Sequence, residues 1–227
     1  MSTSHRKLIF PCSTAGMSEL EHPRTRAVAR PALPLLRRLG GPDGNARLTG
    51  MTASLLIVLL AIEGVTILFL RPLLSVHIFV GMLLIPPVLL KLGSTGWRFA
   101  RYYLGAAAYR AKGPPALLMR MLGPLVIVAT AALFSTGVAL IVLGPHEGRG
   151  IVLGLHKASF IVWLVVTGLH VLVYAPRLPR LLTGDFRHRQ RIGGAQLRRG
   201  ALAAALVAGA TLAAATFPLA GPWLHAH

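Results

Sequence analysis

Five apolar runs, each near the roughly 20 residues a helix needs to cross the hydrocarbon of a bilayer, constrain this chain more than any other feature. They extend from about Met51 to Leu70, Leu73 to Leu92, Pro124 to Leu143, Ile151 to Tyr174 and Ala201 to Leu219. In lipid the backbone must satisfy its own polar groups, so an isolated run of this length is helical. The expected fold is all-α: a polytopic membrane protein with a four-helix core over 48–177 and a fifth transmembrane helix within 201–227. A basic arm over 1–47 and a basic loop over 178–200 flank these parts.

Composition agrees. The chain is 54% hydrophobic and has six acidic side chains, too apolar a balance for a soluble domain of 227 residues. The net charge of +18 does not point to nucleic acid, because the basic residues lie between the apolar runs and not along one soluble face. The lipid bilayer, with its anionic headgroups, is the simpler partner. Cys12 is the only cysteine, which excludes an internal disulfide, a cysteine-ligated iron–sulfur cluster and thioether-attached haem. Any haem here is non-covalent, of b type.

The connections orient the chain. The first 50 residues carry Arg24, Arg26, Arg30, Arg37, Arg38 and Arg47 among Pro, Gly and Ser, and read as a disordered basic arm in which Met17 is a second candidate start. The apolar stretch Leu8 to Phe10 is too short for a signal core, so the first span is read as a retained helix. Gly93 to Gly123 holds Arg98, Arg101, Arg110, Lys112 and Arg120, and Ala175 to Gly200 holds Arg177, Arg180, Arg187, Arg189, Arg191, Arg198 and Arg199. The alternate connections carry only Arg71 and Arg149. The positive-inside rule then predicts a protein of the inner (plasma) membrane with a cytoplasmic N-terminus and an outer C-terminus bearing His225 and His227. Trp97, Tyr102, Tyr103 and Tyr109, mixed with arginines, suit an interfacial helix at headgroup level.

Ionisable residues inside a span are costly and are functional candidates by default. They are Glu63 in the first span, His77 and Lys91 in the second, and His156, Lys157 and His170 in the fourth. His156 and His170 are 14 residues apart, about four turns, so they share a helix face and stand roughly 21 Å apart along it. That spacing suits two haems stacked across a bilayer. His77 and His156 each lie about a turn inside the outer end of their spans, level with one another. They are read either as two axial ligands of one iron or as histidines hydrogen-bonded between helices.

Fourteen residues beyond His77 stands Lys91, level with His170. It either binds a second iron as a neutral amine or snorkels to the inner headgroups past a break at Pro86–Pro87. His170 is then a satisfied polar residue, a ligand or part of a quinone site. Glu63 either pairs with Lys157, near its depth, or takes up a proton beside an oxidised quinol. Gly81 follows His77 by a turn, and Gly154 and Gly168 each precede a histidine by two, small residues that would let a flat macrocycle slot between helices. Arg71, Arg149 and His146 at the outer edge suit haem propionates or ordinary loops equally.

These positions resemble the membrane-embedded di-haem cytochrome b subunits of formate dehydrogenases and nickel–iron hydrogenases, related to the bacterial cytochrome b561 group. His77 and the pair His156 and His170 match three of that family's four histidine positions, over about residues 48–177. The first span has no histidine between Leu48 and Leu70, so the family's fourth ligand is missing. The segment His77-Ile-Phe-Val-Gly-Met-Leu-Leu-Ile-Pro-Pro with a following Lys91 is similar to a subgroup of that superfamily. The resemblance implies a four-helix haem-binding core, haem b on His77 and His156, and electron transfer between the quinone pool and a partner oxidoreductase subunit, such as a molybdenum-dependent enzyme.

No nucleophile–base set or phosphate loop argues for a self-contained enzyme. Two other classes stay open: a haem-free integral membrane scaffold or accessory subunit, and a small transporter with Glu63, Lys157 and His170 along a polar path. The Ala- and Gly-rich fifth span suits close packing, either onto the four-helix core or against another subunit.

Overall fold

The structure is a computed structural model that describes residues 41–111, 113, 117–145, 149–174 and 193–224. The arm as far as residue 40, the loop over 175–192, Lys112, His146, His225 and His227 lie outside the described residues.

Five helices are long and apolar enough to cross a membrane, which makes the chain an all-α, multi-pass membrane protein. They are α1 (Gly41–Leu68), α2 (Leu70–Tyr103), α4 (Leu117–Leu143), α5 (Arg149–Tyr174) and α6 (Ala195–Thr216). A single turn, α3 (Ala107–Arg110), follows α2; a 3₁₀ turn (Phe217–Ala220) and α7 (Gly221–Leu224) continue α6.

Several boundaries differ from the sequence expectation, each for a local reason. The first helix begins at Gly41, not near Leu48. Gly41 takes the left-handed φ of +62° that a side chain would resist, Pro42 fits a first turn where its missing N–H is no loss, and Asp43 opposes the positive end of the helix dipole. Residues 41–47 are thus helical, and not part of a disordered arm. In the same way α6 starts at Ala195, after Gly194 at φ +81°, so 195–200 leave the basic loop.

The expected interfacial helix is instead the end of α2, which continues to Tyr103 because nothing stops it before Gly105, at φ +86°. Trp97, Arg101, Tyr102 and Tyr103 therefore sit on its last turns, with the Arg101 guanidinium 5.6 Å from the Trp97 ring centre. The expected break at Pro86–Pro87 is absent: α2 runs through both prolines and departs from helical angles at Leu73 (φ −111°, ψ 17°). Leu73, together with Phe69 (φ −122°, ψ 48°), turns the chain from α1 into α2.

Three antiparallel pairings dominate the packing: α1 with α2, α2 with α6, and α4 with α5. Leu56, Val80 and Leu84 form the small buried core, and Phe134 reaches it from α4. Among the described residues the α4–α5 hairpin meets the other helices at few further places, one of them Trp223 of α7, whose Nε1 donates to the Leu140 carbonyl at 3.0 Å. The fifth span packs onto α2, one of the two partners expected for it. Gly209 is the reason: a Cβ there would overlap the Leu83 carbonyl oxygen. Pro87, fully buried, has no N–H to give that carbonyl, and Gly209 lets α6 approach it closely. Elsewhere the helices turn large apolar side chains outward, including Val58, Leu125, Ile161 and Val207, as lipid-facing surfaces do.

Candidate functional site

The intramembrane polar residues fall into two groups, one at each end of the α1–α2 hairpin. At the end near the Phe69 turn, α1 contributes Glu63 and Thr66, and α2 contributes His77. Glu63 Oε1 lies 2.8 Å from His77 Nδ1, and Thr66 Oγ1 lies 3.1 Å from the same nitrogen. Thr66 gives its own proton to the Glu63 backbone carbonyl at 2.6 Å, so its lone pairs face the ring. An ionised carboxylate only accepts. Nδ1 therefore carries the imidazole proton, and Nε2 is left with a lone pair.

The second hairpin repeats the arrangement with other residues. Thr136 of α4 places Oγ1 3.1 Å from His156 Nδ1 on α5. Its hydroxyl proton goes to the Ala132 carbonyl at 2.8 Å, with the Leu133 carbonyl at 3.0 Å, so Oγ1 accepts from the ring. Ser159 closes the group, donating to the His156 carbonyl at 2.9 Å and standing 3.3 Å from Thr136. By the same reasoning Nε2 of His156 is the nitrogen with the lone pair. His77 and His156 stand on different hairpins, within electrostatic reach of one another.

Space beside the rings is set by glycine. A Cβ at Gly137 would come within 3.2 Å of His156 Cε1, and one at Gly81 within 3.5 Å of Glu63 Oε1. Gly154 and Gly168 have open space beside them, with nothing within 4 Å of a built Cβ. Gly137, Thr66 and Thr136 escape a reading of ionisable groups alone. Their sequence signal is weak: a hydroxyl three residues after Glu63, and a Thr-Gly pair in an apolar run.

At the other end, Lys91 Nζ donates to the Thr49 carbonyl at 3.0 Å. Asn45 donates to the Ser94 carbonyl at 2.9 Å, and Thr49 to Ser94 Oγ at 3.0 Å. The network joins the N-terminal half of α1 to the C-terminal half of α2. Lys91 thus reaches across to α1, which packs directly against α2. His170 is half-buried and within electrostatic reach of Lys91.

One expected pairing is not formed. Glu63 partners His77 and not Lys157, because α1 packs on α2 while α5 packs on α4. Lys157 points to an exposed face of α5. Arg71 is likewise exposed, at the start of α2.

The two histidines each commit Nδ1 to a neighbouring helix, and in the neutral ring Nε2 is the nitrogen able to bind a metal. Among the described residues no cluster of three or more His, Cys, Asp or Glu would enclose a bare ion. Compared with known proteins, the chain matches no family model, no curated protein and no solved structure.

Proposed function

We propose that this chain is a b-type cytochrome subunit that carries electrons within the membrane, between the quinone pool and a partner oxidoreductase, with one haem b held by His77 and His156. The observation that carries the reading is the state of the two rings. Metal-bound histidines as a rule give their second ring N–H to a carboxylate, carbonyl or hydroxyl, which fixes the tautomer and aims the other nitrogen. Glu63 with Thr66, and Thr136, provide that backing on both sides. The limited packing between the two hairpins also suits a planar group inserted between helices.

When bound, the haem would supply reversible one-electron chemistry. The chain's own residues hold the two rings, exclude water through the surrounding apolar helices and fix the depth of the site. Lys91 is committed to Thr49, so the reading takes one haem, and His170 belongs to the polar group at the far end. The basic residues of the 93–123 and 175–200 connections support an inner-membrane orientation with the N-terminus cytoplasmic. On that orientation the haem lies toward the outer face.

A second reading is a haem-free scaffold or accessory subunit. It is favoured by the same hydrogen bonds, since Glu63–His77 and Thr136–His156 each tie two neighbouring helices together without any ligand. The absorption spectrum of the purified chain, with its haem-to-protein ratio, separates the two: about one haem per chain or none.

A further inference from the structure

The two imidazoles differ in what stands behind them. His77 Nδ1 faces a carboxylate at 2.8 Å, and that carboxylate is only 13% exposed. His156 Nδ1 faces a neutral hydroxyl whose proton is committed elsewhere. A carboxylate accepting a ring N–H pushes electron density toward the opposite nitrogen, while a hydroxyl does so far less. In a poorly hydrated site the difference is not screened away.

We propose that Glu63 is a positioning residue that makes the two axial donors unequal, holding His77 as the stronger donor and so lowering the reduction potential of the group the two histidines share. This rests on the haem reading above. A stronger donor favours the ferric state, which carries one more positive charge than the ferrous, and ligand hydrogen bonding is one of the levers by which a protein sets haem potential. Thr66 completes the arrangement: its hydroxyl donates to the Glu63 backbone carbonyl at 2.6 Å, with Glu63 Oε2 farther off at 3.4 Å, and Oγ1 at 3.1 Å from Nδ1 confines the ring.

The test is a redox titration at one fixed pH, with the ferric electron paramagnetic resonance spectrum as a second readout, on the full chain in detergent. Glu63→Gln keeps size and hydrogen bonding but removes the charge. The midpoint potential should rise and the ferric signal should shift, at unchanged haem content. Thr136→Val should move the potential less than Glu63→Gln in any preparation that retains haem. Should Glu63→Gln hold no haem, Glu63→Asp carries the test, because it keeps the charge at a shorter reach and should displace the potential. A wild-type potential in Glu63→Gln, or in the Asp variant when it stands in, overturns the inference; so does an equal shift in Thr136→Val. A wild-type chain that binds no haem overturns the haem reading itself, which the other outcomes leave standing.

Discussion

Thr136 Oγ1 stands 3.1 Å from His156 Nδ1 and passes its own proton to the Ala132 carbonyl at 2.8 Å, so a hydroxyl in one helix fixes the tautomer of a histidine in the next. Thr136→Val replaces that oxygen with a methyl of nearly equal size. The helix loses little, but the ring loses the acceptor that aims it. Haem affinity should fall about 10- to 100-fold, the usual cost of removing a group that orients a metal ligand. Haem retention during purification, against helix content by circular dichroism, checks this.

Gly209 makes a different kind of contact, backbone against backbone. A methyl there would overlap the Leu83 carbonyl oxygen, and neither helix has a flexible end that can move aside. Gly209→Ala should cost about 1–3 kcal/mol, as overpacking does, despite the better helix propensity of alanine. Gly64→Ala, where nothing lies within 4 Å, should leave stability unchanged or raise it by up to about 1 kcal/mol. Thermal unfolding of the two variants in one detergent gives the comparison.

Lys91 reports on the far end of the bundle. With Nζ on the Thr49 carbonyl, Lys91→Met should leave haem content and spectrum as in the wild type. A buried charge replaced by an apolar side chain of similar length often costs little, so the variant should also fold. A fall in stoichiometry from two haems to one would show instead that Lys91 holds a second iron.

The sequence states some of this openly and hides the rest for physical reasons. Five apolar runs report five helices because lipid leaves the backbone no other solution, while the helix ends differ where glycine and proline at 41, 42 and 194 act locally and where α2 and α4 extend beyond their apolar runs. The 14-residue spacings on α2 and α5 place His77 and Lys91 on one helix face, and His156 and His170 on another, since helical rise and twist are fixed. What Glu63 partners was not legible. Depth alone points to Lys157, and only the pairing of α1 with α2 puts Glu63 on His77. Thr66, Thr136 and Gly137 carry no charge and leave no mark on a hydropathy profile, although they set the tautomer and the space of the site. Nor did the Pro86–Pro87 pair behave as a break, because Gly209 packs against the Leu83 carbonyl that Pro87 leaves without its helical N–H.

The central claim is that His77 and His156 together hold one b-type haem. The most direct measurement is the dithionite-reduced absorption spectrum, with haem-to-protein stoichiometry, of wild type, His77→Ala, His156→Ala and the double variant, all purified from haem-replete cells. The account predicts a reduced b-type spectrum at about one haem per chain in the wild type, lost in each single variant and in the double while helix content persists. A colourless, folded wild type, or a double variant that keeps the full wild-type spectrum, would contradict it.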